Sequence, residues 1–82
     1  MKIEKYGASW CGPCKMLDKT LDLIPKEIEI VKFDADEDED LFVEKGIKSV
    51  PVLIFYEDNG NEVNRLIGAV SQQKIMDIVN TI

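Results

Sequence analysis

Trp10-Cys11-Gly12-Pro13-Cys14-Lys15 sets the only two cysteines of the chain three positions apart, where a short strand-like segment runs into a helix. Two thiols at that spacing can close a disulfide within one helical turn. A cysteine at a helix start also meets unpaired backbone N–H groups and the positive end of the helix dipole, both of which favour thiolate. Thiolate is the reacting form, so Cys11 is the candidate nucleophile and Cys14 its resolving partner. A structural zinc site normally takes four ligands, and the chain has no His and no second cysteine pair. Zinc or an iron–sulfur cluster would therefore have to be shared between two chains. A purely structural disulfide is weak here, because so short a loop restricts the unfolded chain little.

Outward from the motif, Ile3 to Ala8 reads as a first strand, although Lys2, Glu4 and Lys5 make it polar for a central one. A helix is predicted from Cys11 to Leu23: Cys14, Leu17, Leu21 and Ile24 fall at helical spacing, Lys15, Asp18, Lys19 and Asp22 face water, and Pro25 stops it. Glu27 to Phe33 opens on a period-two alternation, the pattern of a half-buried strand. A short helix is expected over Glu39 to Lys45, with Gly46 ending it, and an apolar, β-branched strand over Val50 to Tyr56. Asp58-Asn59-Gly60-Asn61 turns the chain into Glu62 to Ile67 as a hairpin. Ser71 caps a last helix carrying Ile75, Ile78, Val79 and Ile82 as one apolar stripe. The βαβ start and antiparallel end give an α/β fold, a mixed four-stranded sheet with helices on both faces, as one domain over residues 1–82.

Asp34 to Asp40 is wholly acidic apart from Ala35, and Asp34, Asp36 and Asp38 start like a calcium loop. Glu39 stands where such a loop needs Gly, and Lys45 where it needs Glu, so no calcium is expected. The acids are read instead as capping the short helix. Ten basic against sixteen acidic side chains give a net charge of −6 without a basic cluster, which argues against nucleic acid and anionic membranes as partners. Met1-Lys2-Ile3-Glu4-Lys5 has no apolar signal region and no window is apolar enough to span a bilayer. A redox cysteine pair without other bridges fits a reducing cytoplasm.

Trp10 to Lys15 is similar to the active-site signature of thioredoxins. Val50-Pro51 after Gly46-Ile47-Lys48-Ser49 looks like that family's cis-proline loop, and Gly68-Ala69 follows a late strand at a matching distance, so the resemblance covers the domain. It implies strand order 2-1-3-4 without the extra N-terminal strand and helix of full-length thioredoxins, leaving a glutaredoxin-sized chain. The second strand becomes an edge, guarded by Glu27, Glu29 and Lys32. The resemblance further implies a protein-disulfide reductase with no cofactor beyond its Cys11/Cys14 couple. It would act as a monomer, passing electrons from a reductase of the thioredoxin-reductase type to disulfide-containing clients. Val50 would pair with an extended substrate over Pro51, with Trp10, Gly12, Pro13, Gly68 and Ala69 around that groove.

The alternative is a glutathione-dependent, glutaredoxin-like reductase, suited by the length and by Ser49-Val50-Pro51. Ile67-Gly68-Ala69-Val70 lacks the Gly-Gly and following acid that glutaredoxins use for glutathione, and Gly12-Pro13 differs from their usual Pro-Tyr. A third reading is a binding module without activity. One departure touches mechanism: thioredoxins carry a buried Asp six residues before the first cysteine, and Lys5 stands there. Lys5 would stabilise thiolates if it points inward, but a buried, unpaired Lys is costly and can snorkel to solvent, so both placements stay open. Lys32 matches a family lysine normally near that Asp, and a rearranged partner or water would have to supply the proton path.

Overall fold

The computed structural model describes all of residues 1–82 as β1 (Lys2–Gly7), α1 (Gly12–Leu21), β2 (Glu29–Asp34), α2 (Glu39–Glu44), β3 (Val52–Tyr56), β4 (Glu62–Ile67) and α3 (Gln72–Thr81). The strands form one sheet in the order β2-β1-β3-β4, with β1 parallel to β2 and the other two pairs antiparallel. The expected architecture and strand order are both present.

Period-two alternation sorts β1 between the two faces. Ile3 joins Leu53 and Phe55 against Leu17, Leu21 and Ile24 from α1 and its exit, and against Ile75 and Ile78 of α3. On the other face Tyr6, Val52, Ile54 and Tyr56 pack with Phe42 of α2. All five residues of β3 are buried, as an apolar strand covered on both faces must be.

The polar residues of β1 are accommodated by specific partners. Glu4 faces the α2 side, where the Tyr6 hydroxyl donates to it at 2.7 Å and Lys2 Nζ lies 3.4 Å away. Burial pushes the Glu4 carboxyl up, but these partners and Tyr56 outweigh it and hold the group below its ordinary value. A carboxyl depressed in the folded state contributes stability above the unfolded value of 4.5, lost as pH falls through the folded one. Urea titrations should therefore show wild type losing more stability than Glu4→Gln on acidification below that value; parallel acid profiles would refute this role for Glu4.

Several boundaries differ from the sequence reading. Helix α1 begins at Gly12 because Cys11 is its extended N-cap, and it ends at Leu21 because the chain tightens into Leu23 N–H to Thr20 O and Ile24 N–H to Leu21 O bonds before Pro25. Ile28 N–H to Pro25 O closes a turn that holds Glu27 outside the sheet, so only Glu29 and Lys32 of the three expected guards lie on edge strand β2. Strand β3 starts at Val52, since Pro51 has no N–H for a ladder. The acidic run does not cap α2 through its side chains: Asp38 is the N-cap residue, yet its carboxylate accepts the Asp34 N–H at 3.0 Å. Asp34 in turn accepts from Ser9 and Asp36 N–H, which knits the acidic loop to the segment entering α1.

Candidate active site

Cys11 sits where β1 has ended and α1 begins, its N–H donating to Ala8 O at 3.2 Å. Its extended backbone makes it the N-cap, and its Sγ accepts the Cys14 N–H at 3.2 Å. A sulfur thus fills the place usually taken by a Ser or Asp oxygen, and anionic sulfur is favoured there by the N–H groups and dipole of the helix. Gly12 and Pro13 form the exposed first turn, where the missing N–H of Pro13 costs no helical bond. Cys14, one turn on, points into the protein at 1% exposure and is joined to Cys11 in a disulfide with Cα atoms 5.3 Å apart. Cys11 itself is 6% exposed, so the outer cysteine is only the less buried of two.

The residues expected around the dithiol divide into two groups. Val50 O lies 4.0 Å from Cys11 Sγ, the Val50–Pro51 bond is cis as the resemblance implied, and Pro51 O accepts the Gly68 N–H at 2.9 Å. That bond holds the Gly68-Ala69 turn beside the proline loop, with Gly68 at φ +96°, a conformation glycine adopts freely. Trp10 stands apart from this tie. It is 67% exposed, so it does not simply pack the strand end, and it borders with Val50 a cavity of about 490 Å³ reaching Phe42, Val43 and Ile47. Gly68 and Ala69 lie outside that cavity.

Beneath Cys14 the polar residues of β1 and β2 meet. Lys5 turns inward: its side chain is 7% exposed and Nζ lies 2.9 Å from Asp18 Oδ1. Lys32, opposite Lys5 in the β1–β2 register, reaches the same oxygen at 3.2 Å. Asp18, expected to face water, is instead half-buried, because two like charges directly across neighbouring strands need an anion between them. Burial pushes the Asp18 carboxyl up, but hydrogen bonding and charge from Lys5 and Lys32 overcome it and hold the group below the usual carboxylate value.

Sequence reasoning missed Asp18 and Gly7. A Cβ on Gly7 would fall 2.8 Å from Lys5 Cε and Nζ and 3.3 Å from Cys14 Sγ, so glycine is what lets the lysine pass close to the sulfur. The signals were present: a glycine ending a buried strand, and an acid four residues after Cys14 on the same helix.

No group of three or more His, Cys, Asp or Glu side chains is placed to hold a metal ion, and no helix is long and apolar enough to cross a membrane. The profile of the Thioredoxin family matches residues 2–81. A thioredoxin from Rickettsia felis is 34% identical over 82 residues, covering 95% of this chain and 77% of the relative. One from Bacillus subtilis is 33% identical over 82 residues, covering 95% and 78%. Among solved structures, a mutant thioredoxin from Halobacterium salinarum superposes with a TM-score of 0.90 at 27% identity, covering 98% of this chain and 72% of that one. With its dithiol motif, fold and relatives in agreement, the chain belongs to the thioredoxin family and is a thiol-disulfide oxidoreductase.

Proposed function

We propose that this chain is a protein-disulfide reductase in which Cys11 attacks a client disulfide and Cys14 resolves the mixed disulfide. The observation that carries the reading is the asymmetry of the pair: Cys11 Sγ is the N-cap acceptor at the helix start, while Cys14 lies 1% exposed behind it. Attack by Cys11 thiolate on one client sulfur expels the other as thiolate. Cys14 thiolate then attacks Cys11 sulfur, the Cys11–client bond breaks, and the second client sulfur leaves with its electron pair. The client loses its disulfide and the protein gains one.

Val50 would align an extended client segment by main-chain pairing, with Pro51, Gly12 and Pro13 lining the approach and Gly68-Ala69 and Trp10 on its flanks. The electron donor in this reading is a reductase of the thioredoxin-reductase type, and the protein works as a monomer in a reducing cytoplasm. Glutathione chemistry is not favoured, since Ile67-Gly68-Ala69-Val70 offers neither the second glycine nor the acid of a glutaredoxin site. Insulin reduction by the full chain, recycled in parallel by NADPH with a thioredoxin reductase and by glutathione with glutathione reductase, tests the assignment. Turnover is expected with the first donor; turnover only with glutathione would reverse it.

A further inference from the structure

Lys5, Asp18 and Lys32 converge from β1, α1 and β2 on a single carboxylate oxygen, Asp18 Oδ1, which is buried and receives no hydrogen bond from any other group. Neither lysine is paired with a second carboxylate. Two ammonium groups against one carboxylate leave one uncompensated positive charge, shared between Lys32, whose side chain is 46% exposed, and Lys5, where it is almost wholly removed from water. An unbalanced charge in such a place is costly unless another anion completes the set. A group able to become one is Cys14: its sulfur and the Lys5 ammonium border the same small space over Gly7, at 3.3 and 2.8 Å from the point a Cβ would occupy.

We propose that Lys5, Asp18 and Lys32 form a counter-charge set for the resolving sulfur, in which the lysines favour Cys14 as thiolate and Asp18 both positions them and moderates their effect. With Cys14 ionised the set is neutral, two cations against two anions. With Cys14 protonated or in the disulfide it carries its excess charge. The proton of the Cys14 thiol leaves to solvent before attack, and the thiolate then donates its electron pair to Cys11 sulfur as described above. Lys5 lowers the cost of the charge that forms beside it. Lys5 from β1 and Lys32 from β2 lie on Asp18 Oδ1, while Cys14 has Lys5 beside it over Gly7 and Cys11 bonded to it. The inference rests on Cys14 being the resolving cysteine.

The test uses the full chain with Cys11→Ser, which leaves Cys14 as the only thiol and removes coupling between two titrating sulfurs. The readout is ultraviolet thiolate absorbance against pH. Lys5→Met removes one positive charge and should raise the Cys14 midpoint by about one pH unit, a roughly tenfold loss of thiolate below the midpoint. Asp18→Asn removes the moderating anion and should lower it, and the Lys5→Met/Asp18→Asn double variant should return close to the parent.

Opposite shifts mark an electrostatic set, because packing damage has no reason to change sign with the charge removed. Single variants that move the midpoint in the same direction, or leave it in place, would overturn the proposal. Should Lys5→Met fail to fold by circular dichroism, Asp18→Asn at its half-exposed position decides alone: a rise or no shift refutes it. The order in which the reduced wild-type cysteines react with iodoacetamide, read by mass spectrometry, separates the two readings. Cys14 reacting first would remove the resolving role whatever the charge series shows.

Discussion

Cys11→Ser is expected to abolish disulfide reduction, whereas Cys14→Ser should leave a protein that still attacks clients and then stalls. The difference follows from geometry. Within the pair, resolution is intramolecular, with the second sulfur held one helical turn from the first and Cα atoms 5.3 Å apart. Holding two reacting groups in place is worth effective concentrations of about 10⁵ M or more, which millimolar external thiol cannot replace. Incubating Cys14→Ser with a disulfide-containing protein should therefore accumulate a covalent adduct through Cys11, visible by non-reducing electrophoresis and released by dithiothreitol. Cys11→Ser should form none. An adduct with Cys11→Ser and none with Cys14→Ser would invert the two roles.

Phe55→Ala should bring the protein close to unfolding at room temperature. Phe55 is fully buried in the cluster that joins β1 and β3 to α1 and α3. Removing a ring from such a core costs about 3–5 kcal/mol, against a total stability of about 5–15 kcal/mol for a domain. At about 4–8 °C per kcal/mol for a domain of this size, Tm should fall by roughly 12 °C or more. Val43→Ala is the control: the residue is 75% exposed, and surface changes of this kind stay within about 0.5 kcal/mol. Calorimetry giving both variants similar Tm values would contradict the core assignment.

Local patterns in the sequence were enough to place β3, β4 and α3, because an apolar β-branched run, an Asn-Gly turn and a Ser cap each act within a few residues. The cysteine pair was legible for the same reason. What was not legible depends on contacts across strands. Helical periodicity put Asp18 on the solvent side of α1, and nothing local shows that β1 and β2 bring Lys5 and Lys32 to the same point. The direction of Lys5 stayed open because its partner was unrecognised. Likewise, Asp38 has the residue type of a helix cap, but the backbone of Asp34 claims its carboxylate first.

The central position of β1 bears on how the chain comes to fold. Residues 2–6 lie against 56–52 on one side, while residues 2–7 pair with 29–34 on the other. Strand β1 leaves the ribosome before either neighbour and therefore waits until residues 52–56 have been synthesised before its second neighbour exists. Closing so long a loop costs entropy that the β1–β3 ladder repays only afterwards, so sheet assembly should set the folding rate, with the β3–β4 hairpin free to form early. Until the β1–β3 ladder closes, the free edge of β1 and then the apolar run of β3 are open to other chains, and the nascent protein is at its most vulnerable to aggregation before its redox site has been assembled.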